Sequence, residues 1–532
     1  MSESLPALPE RFAVLVVVVP MLTALVALLL HDFRRSQHVV GTVGLSLNLA
    51  AALWSLVTVC PDPGGVGRVL STQMGNWPAP FGISVVIDTL SATLLSVTGF
   101  LTLCVYVYCL KQLPGRFAGG YFQPLYHFLL LGVNWAFVTG DLFNLFVSFE
   151  ILLMASYAIL VVGTTRAQMR SAYKYVLLNL LASTLFVVGC GFVYGQTGTL
   201  NFAELAALAE AGRLPDTFPP VAALLAVVFA SKAAGFPLWF WLPDTYPTLP
   251  PALGGLFGGL LTKVGIYALL RVFVMVLGPD EAVRAVVGPA LLVSAGGTMF
   301  VGVLGAVSSM QIRRILSVHV ISQVGYMILG VGLATRLAVA AVVLYMVQHM
   351  IVKSALFLCG GLVMARDGTD DLRHLGGVAR RAPWLGVLFF IAAMSLVGLP
   401  PLSGFYGKFL LIREGFRFEE FPWYGVPLAI LAIVTGVLTL ASMAKIWTYA
   451  FWGPEPESRR PMVPSMSLAP TRTGLLATGA LVVAALAVGL GANVVLGVGQ
   501  TAADGLLDSG AYVAAVLGEG VVQVADRGGA RP

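Results

Sequence analysis

The sequence has few charged residues for its length. Of 532 residues, 31 are Lys or Arg and 25 are Asp or Glu, so 11% are charged, against roughly 25% in a soluble domain. The apolar share is 58% and the mean hydropathy is +0.89. A water-soluble globule of this composition would lack a polar surface, which excludes a cytosolic enzyme and a disordered chain. The composition leaves a polytopic membrane protein.

Signals of several other protein classes are missing. The five cysteines have neither metal-binding nor thioredoxin spacing, and no motif for a redox cofactor is present, so we expect no metal and no cofactor. The net charge of +6 is scattered between apolar runs, which is not the pattern of a nucleic-acid-binding protein. No basic segment precedes the first apolar run, so we expect no cleavable signal peptide. The polar loops are short, so we expect no soluble catalytic domain and no enzyme.

Apolar runs long enough to cross a bilayer, which takes about 17–25 residues per helix, recur along the chain. We count fourteen, dividing the fused fourth and fifth runs at the turn-like triplet Thr139-Gly140-Asp141. The sequence therefore predicts an all-α polytopic membrane protein with spans at about 13–30, 39–59, 83–110, 121–140, 141–163, 171–195, 220–243, 251–277, 284–307, 312–334, 337–364, 384–412, 425–452 and 473–499.

Basic residues are distributed unevenly between alternate loops. Loops rich in Lys and Arg stay in the cytoplasm, so we expect the loops after odd-numbered spans to face inward and, with fourteen spans, both termini to lie outside. Fifteen basic residues follow odd-numbered spans, namely Arg34, Arg35, Lys111, Arg116, Arg166, Arg170, Arg313, Arg314, Arg366, Arg373, Arg380, Arg381, Arg459, Arg460 and Arg472, and six follow even-numbered spans, namely Arg68, Arg213, Arg284, Arg336, Arg413 and Arg417.

Ionisable side chains inside the spans are candidates for function, because each costs about 2.5–3.5 kcal/mol at mid-bilayer on insertion scales. Glu150 stands in the apolar run 146–153 with no other charge nearby. It either ties two helices together or titrates on a proton or cation path. We favour the path, because a carboxylate that only links two helices needs a partner, and Ser or Asn would make such a link as well.

Lys232 lies beside a predicted break in a helix. Pro237 has no N–H to donate to the carbonyl of Ala233, and Gly235 adds conformational freedom. Broken helices at membrane depth line a cavity or are buried in protein, so the freed carbonyls and the lysine amine form a site for passing protons or cations. The alternative is a proline kink with a snorkelling lysine, which the mid-span position of Lys232 disfavours.

A second break of this kind lies downstream. Pro400 and Pro401 leave the carbonyls of Leu396 and Val397 without partners, and Lys408 follows in the same apolar span. Two broken helices five spans apart indicate an internal repeat of spans 4–8 and 9–13. Because five is odd, the second unit is expected to be inverted across the membrane. Paired broken helices point to the ion site of a transporter.

Further ionisable groups fall between the two breaks. His349 and Lys353 are four residues apart and share one helix face. A lone histidine in a membrane helix can simply bond the backbone, but a row of such groups lets protons hop through water. The row consists of Lys263, His319, His349 and Lys353, whereas Asp88, Lys174 and Lys445 are equally consistent with packing and Arg271 is expected to snorkel.

Three segments carry a resemblance to a known family. They are residues 134–150 followed by Ala155-Ser156-Tyr157, residues 232–243, and residues 261–267. In combination they resemble the antiporter-like subunits shared by Mrp-type cation/proton antiporters and respiratory complex I, over about residues 80–455. Within that family, this sequence is most similar to the D-type subunit of the Mrp complex, because it has a lysine at position 408 and a short stretch after the last span.

The resemblance implies fourteen helices with two inverted five-helix repeats, each containing a discontinuous helix. It implies that Glu150 and Lys232 form the coupled pair of a first half-channel. Lys263 would be the bridge toward the centre, and Lys408 the terminal lysine of a second half-channel. The central hydrophilic axis would continue through His319, His349 and Lys353.

The sequence thus predicts an ion-translocating subunit of a multisubunit Na+/H+ antiporter in the bacterial inner membrane, with other subunits of the complex as partners. The alternatives are a proton-pumping membrane subunit of a complex I-like or hydrogenase-type redox complex, and a scaffold without transport. The expected domains are residues 1–120 with the first three helices, 121–280 with the first repeat, 281–455 with the second repeat, and 456–532 with the last helix and a short tail.

Overall fold

The structure is a computed structural model that describes residues 12–113, 115–117, 120–162, 165–455 and 471–518. The basic residues expected in the loop at Arg459 and Arg460 lie outside the described residues, as does the end of the chain beyond residue 518.

The described chain is mainly helical, with one short β-hairpin. Strand β1 (Leu70–Gln73) pairs antiparallel with β2 (Ser84–Ile87). The helices are α1 (Leu15–Leu29), α2 (Arg34–Val59), α3 (Thr89–Gln112), α4 (Phe122–Val138), α5 (Leu142–Val162), α6 (Arg166–Thr197), α7 (Phe202–Glu210), α8 (Phe218–Ala233), α9 (Trp241–Thr245), α10 (Pro251–Leu270), α11 (Glu281–Ser308), α12 (Ile312–Leu333), α13 (Arg336–Asp367), α14 (Val378–Arg381), α15 (Pro383–Val397), α16 (Ser403–Arg417), α17 (Pro422–Ile446), α18 (Arg472–Leu490), α19 (Ala492–Leu507) and α20 (Gly510–Leu517).

Ten of the described helices are long and apolar enough to cross a membrane, and α1, α8 and α15 are shorter apolar helices. The prediction of a mostly helical, polytopic membrane protein is therefore confirmed. The span windows of α10, α12 and α13 are completely buried inside the chain. A helix that is apolar all round belongs in such an interior, and these three central helices carry the predicted row of lysines and histidines.

The expected start of the third span is wrong. Residues 84–87 form strand β2, and α3 begins only at Thr89. The Ser-Val-Val-Ile sequence favours a strand because Val and Ile are β-branched. Asp88 then caps α3, since its side chain accepts a hydrogen bond from the backbone N–H of Ser91.

The three prolines and the glycine flagged in the sequence, Pro237, Pro400, Pro401 and Gly235, lie in gaps between helices. α8 ends at Ala233, Ala234 follows at φ 63°, and α9 begins only at Trp241. α15 ends at Val397, Gly398 follows at φ 93°, and α16 begins at Ser403. We call these the first gap and the second gap.

Helices α6 and α13 are built alike. Both are 32 residues long, both begin after a threonine whose side chain accepts a hydrogen bond from the backbone N–H three residues on, and both end at a left-handed glycine. The caps are Thr165 and Thr335, and the glycines are Gly198 at φ 74° and Gly368 at φ 73°. Each feature recurs after 170 residues.

The loops around these helices repeat the same pattern. Residues 140–142 and 200–202 exchange two backbone hydrogen bonds, Leu142 N–H to the Leu200 carbonyl and Phe202 N–H to the Gly140 carbonyl, each 2.9 Å. Residues 310–312 and 370–372 exchange the equivalent pair at 2.9 and 2.8 Å. The first contact marks one end of the bundle, here named the Asp141 end, and the second marks the opposite Gln311 end.

Close helix packing recurs at the same spacing. A Cβ at Gly132 of α4 would come within 2.5 Å of the backbone N of Leu152 on α5, and one at Gly302 of α11 within 2.4 Å of the backbone N of Ser322 on α12. Only glycine allows two helices to approach so closely. The two contacts are again 170 residues apart in the sequence.

The segment after the last predicted span is more ordered than expected. The run 473–499 is divided at Gly491 into α18 and α19, and α20 follows. Tyr512 of α20 is buried and its ring lies 5.3 Å from the Arg271 guanidinium. The C-terminal helices therefore pack onto the Asp141 end of the bundle rather than forming a featureless tail.

Candidate functional site

Six of the seven predicted site residues are buried basic side chains. They are Lys232 and Lys408 with exposed fractions of 4% and 5%, and Lys263, His319, His349 and Lys353 with 0%. Lys and His are rarely buried to this extent without a carboxylate partner. Within the described residues, none of the six forms an ion pair with Asp or Glu.

Lys232 lies in the last turn of α8, beside the first gap, and its side chain turns toward α6. Its Nζ donates to the carbonyl of Asn179 at 3.1 Å and to Ser183 Oγ at 2.8 Å. The ring of Phe149 lies 5.6 Å from Nζ. The ammonium is thus held by two neutral oxygens and an aromatic face, which together replace part of its hydration.

Glu150 is close to Lys232 but not paired with it. Its charge is near enough to act electrostatically on the ammonium, yet no salt bridge joins the two among the described side chains. Glu150 is only partly buried, and its buried Oε1 has no hydrogen-bond partner in the described part of the chain. The structure therefore brings the predicted pair together in an open arrangement.

Lys408 lies on α16 and reaches back across the second gap. Its Nζ donates to the carbonyls of Leu396 and Val397 at 2.9 and 3.1 Å. These are the carbonyls that the prolines at 400 and 401 leave without helical partners. The ring of Tyr326 lies 5.0 Å from Nζ, so the lysine caps the end of α15 and faces α12.

The central helices carry the remaining basic groups. Lys263 donates to the carbonyl of Gly258 at 2.6 Å and to Thr262 Oγ1 at 3.1 Å. Neither ring nitrogen of His349 nor Nζ of Lys353 has a hydrogen-bond partner in the ranges that the structure describes. Such groups are costly when buried, and ionisable groups in a membrane interior usually mark ion pathways.

His319 is the best-connected member of the row. Its Nε2 lies 2.5 Å from Ser442 Oγ and its Nδ1 lies 3.2 Å from Ser322 Oγ. Gln323 donates to Ser322 Oγ at 2.8 Å, and the Tyr345 hydroxyl donates to Gln323 Oε1. The histidine is therefore part of a side-chain network between three helices and does not simply bond the backbone.

The other membrane charges have polar or charged partners of their own. Arg271 does not snorkel: it is 1% exposed and makes a bidentate ion pair with Asp88 at 2.6 and 2.9 Å. Lys174 is half exposed and pairs with Asp244 at 2.6 Å. Lys445 donates to backbone carbonyls at the end of α11.

Several partners of the site were missed by sequence reasoning. Asn179 and Ser183 hold Lys232, and their four-residue spacing on an apolar helix was an available signal. Ser442 follows Thr435 and Thr439 at helical spacing on α17, which places all three hydroxyls on one face. Among the described residues, no group of three His, Cys, Asp or Glu side chains is arranged to hold a metal ion.

A polytopic helical protein with buried lysines at two helix gaps, joined by a buried row of lysines and histidines, is of the ion-translocating class. The chain belongs to the family described as "NADH:quinone oxidoreductase/Mrp antiporter, TM", whose family model matches residues 139–439.

Two curated relatives within this family are D-type subunits of Na(+)/H(+) antiporters. The chain is 40% identical to the one from Alkalihalophilus pseudofirmus over 517 residues, which is 96% of this chain and 100% of the relative. It is 35% identical to the one from Bacillus subtilis, again over 96% of this chain and 100% of the relative.

Solved structures show the same fold. A chain in the Mrp complex from Dietzia sp. matches 96% of this chain and 100% of its own length, with a TM-score of 0.87 and 33% identity. A chain of the membrane-bound sulfane sulfur reductase, an archaeal respiratory membrane complex, matches with a TM-score of 0.84 and 26% identity, covering 96% and 100%.

Proposed function

We propose that the chain is an ion-translocating subunit of a multisubunit monovalent cation/proton antiporter in the bacterial plasma membrane, with Na+ and H+ as the exchanged ions. The observation that carries this is the 40% identity, over the relative's full length, to a D-type subunit of a Na(+)/H(+) antiporter. The buried lysines at both helix gaps agree with it. Its partners are the other subunits of the complex, and it acts as a transporter within the bilayer.

The topology that we propose has fourteen spans and two inverted five-helix repeats, with both termini outside. Four features support the repeats, since helix length, threonine cap, left-handed glycine and loop pairing all recur after 170 residues. The two loop pairings lie at opposite ends of the bundle, which suits inversion. Residues 121–280 and 281–455 form the two repeats, with 1–120 before them and 456–532 after them.

The path that we propose begins at Glu150 and Lys232. The hydrogen bonds of Lys232 to Asn179 and Ser183 represent one position of the ammonium, and an ion pair with Glu150 represents the other. A buried amine gains or loses its proton readily as a carboxylate approaches or withdraws. Movement of Lys232 between the two positions would pass charge on to the central helices.

From Lys232 the proposed path continues through the central helices to the second gap. Lys263 is the bridge on α10, and Lys408 is the terminal group, held by the open end of α15. Protons cross between these lysines by way of His319, His349 and Lys353.

The second candidate function is a proton-pumping membrane subunit of a redox complex. The likeness to the chain from an archaeal respiratory complex favours it, at 26% identity. The higher identity to antiporter subunits over nearly the whole chain places it second. The two functions require different partners, because a redox complex needs subunits that carry electron-transfer cofactors, so mass spectrometry of the affinity-purified complex separates them.

The test of antiport uses everted membrane vesicles from cells that lack their own sodium–proton antiporters and express the whole complex. The vesicles are energised with ATP, and a ΔpH-sensitive dye is followed when sodium chloride is added. We expect sodium to collapse the ΔpH in the wild type and not in Glu150→Gln vesicles with equal amounts of complex. No response in a fully assembled wild type would overturn the antiporter function.

A further inference from the structure

A chain of hydrogen-bonded side chains leads from the middle of the bundle toward its Gln311 end. The Tyr345 hydroxyl donates to Gln323, and Gln323 donates to Ser322 Oγ at 2.8 Å. Ser322 Oγ contacts Nδ1 of His319 at 3.2 Å, and Nε2 of His319 contacts Ser442 Oγ at 2.5 Å. All five side chains are buried, so their contacts are shielded from bulk water.

The inner end of this chain adjoins the proposed path. The ring centroid of Tyr345 lies 5.8 Å from that of Tyr326 and 6.3 Å from that of His349. Tyr326 in turn lies beneath the Lys408 ammonium at 5.0 Å. The chain of hydrogen bonds therefore starts between His349 and Lys408.

The outer end of the chain lies on α17, near the surface. Lys445 lies one helical turn beyond Ser442, on the same face. Its Nζ donates to the carbonyls of Val307 and Ser309 at 2.6 and 2.5 Å, where α11 ends next to the loop that contains Gln311. Lys445 is partly exposed whereas Ser442 is 1% exposed. Ser442 is therefore a buried hydroxyl one helical turn from a partly exposed lysine.

Ser442 has a hydrogen-bond acceptor within its own helix as well as its contact with His319. Serine and threonine in helices commonly donate to a carbonyl three or four residues back. Ser442 has that acceptor in the Thr439 carbonyl at 3.0 Å, and Thr439 has its own in the Thr435 carbonyl at 2.7 Å. Ser442 Oγ also contacts Nε2 of His319, so this hydroxyl joins the imidazole to α17 in addition to bonding its own helix.

We propose that Ser442 relays protons between His319 and the membrane side at the Gln311 end, which gives the second half of the path its opening to the cytoplasm. This inference rests on the proposed function. In the step, the Ser442 O–H proton moves to Nε2 of His319 as Ser442 Oγ takes a proton from a hydronium ion that enters from the Gln311 end. The imidazole becomes cationic, the donor loses one charge, and the reverse step returns the proton.

The step requires the tautomer of His319 that has its hydrogen on Nδ1, and the contacts of Ser322 favour it. Ser322 Oγ accepts from Gln323 and donates its own hydrogen to the backbone carbonyl of His319 at 3.2 Å. Its oxygen is therefore the acceptor for Nδ1–H of the imidazole. Nε2 then carries a lone pair, and the Ser442 hydroxyl reaches it by turning its hydrogen from the Thr439 carbonyl toward the imidazole. Ser322 and Gln323 act as positioning residues, and the amide of Gln323 does not carry the proton itself.

The test compares Ser442→Ala with Ser442→Thr in everted vesicles that contain the whole complex. Exchange rates are measured over a range of external pH, which in everted vesicles is the pH at the Gln311 end. We expect Ser442→Ala to lower the rate by between about tenfold and about 100-fold, since water replaces a lost relay hydroxyl only in part. Ser442→Thr keeps a hydroxyl and should retain the wild-type rate.

The pH profile separates a relay from a packing role. Without the relay, the loss in Ser442→Ala should be greatest at alkaline external pH, where protons are scarce, whereas a packing defect lowers the rate by the same factor throughout. The profile is interpreted with the titratable groups that face His319 and remain unchanged, namely Lys353, Lys408, Lys445 and His349. Thr439→Val, one turn away on α17, is the matched control and should keep the wild-type profile.

Three results would overturn the relay. They are a wild-type rate and profile in Ser442→Ala, a uniform loss at all pH values, and an equal loss in Ser442→Thr or Thr439→Val. Lys232→Ala vesicles distinguish a failure of the relay from a failure of the proposed function. If the wild type exchanges ions, Lys232→Ala does not, and Ser442→Ala does, only the relay fails. If the assembled wild type does not exchange ions, the proposed function fails and the relay with it.

Discussion

The lysines at the two gaps are held by neutral oxygens. Lys232 donates to a backbone carbonyl and a serine hydroxyl, and Lys408 donates to two backbone carbonyls. An ammonium buried without a counter-ion is costly, so the position of a nearby charge strongly affects the free energy of either protonated lysine. For Lys232 the nearby charge is Glu150, which lies within electrostatic range and outside salt-bridge distance.

A first prediction concerns the proton that Lys232 carries. Lys232→Arg keeps a positive charge, but a guanidinium stays protonated and cannot give up its proton during the cycle. We expect the sodium-dependent exchange rate to fall at least about 100-fold, the effect of losing a positioned proton-transfer group. Lys174→Arg, at the half-exposed pair with Asp244, is the control and should exchange normally. Exchange by Lys232→Arg at the wild-type rate would mean that a fixed charge is sufficient.

A second prediction concerns the buried ion pair of Asp88 and Arg271. Asp88→Asn leaves the guanidinium buried without a counter-ion, which we expect to destabilise the chain by about 3–5 kcal/mol. Thermal unfolding of the purified complex measures this. Asp244→Asn breaks an exposed pair and should cost at most about 1 kcal/mol. If Asp88→Asn were stable but inactive, Asp88 would belong to the ion path.

At the scale of elements, proline and glycine chemistry explains why α8 and α15 end where they do. The apolar runs likewise predicted most of the helices. The sequence could not predict which oxygen each lysine reaches, because Asn179 and Ser183 come from α6, which is distant in sequence. The burial of Arg271 was missed for the same reason, since its partner Asp88 lies far away along the chain. The hairpin was missed because a short apolar strand resembles the start of a span.

A third prediction concerns the second gap. Gly398 has φ 93°, and a Cβ there would lie 3.1 Å from Cδ of Lys408. Gly398→Ala should strain the backbone and displace the lysine, lowering exchange by about tenfold at a cost of about 1–2 kcal/mol for the left-handed conformation. Gly479→Ala is the control, because a Cβ at Gly479 meets nothing within 4 Å. An unchanged exchange rate in Gly398→Ala would show that the geometry of this gap is not required.

At the scale of the whole molecule, the two halves differ in chemistry more than in shape. Asn179 and Ser183 stand at the same positions relative to the Thr165 cap as His349 and Lys353 do relative to the Thr335 cap. Where the first half has neutral groups that hold Lys232, the second half has titratable ones. In the repeat that we propose, equivalent positions therefore hold a lysine with neutral groups in the first half and belong to the proposed proton path in the second half.

A fourth prediction concerns the orientation of this framework. The five cysteines are buried, so single cysteines placed on the surface can be labelled selectively. Ala211→Cys lies between α7 and α8 at the Asp141 end, and Arg380→Cys lies on α14 at the Gln311 end; both positions are exposed. A membrane-impermeant maleimide should label Ala211→Cys in intact cells and Arg380→Cys only in everted vesicles. The opposite pattern would reverse the assigned sides of the membrane.

The most direct test of the central claim is a flux measurement on the purified complex in liposomes. A sodium gradient is imposed, and internal pH is followed for the wild type, Lys232→Ala and the control Lys174→Ala. We expect sodium-driven proton movement in the wild type and in Lys174→Ala, and none above the leak in Lys232→Ala. If Lys232→Ala moved protons at the wild-type rate in an intact complex, the buried row of this chain would not be the path.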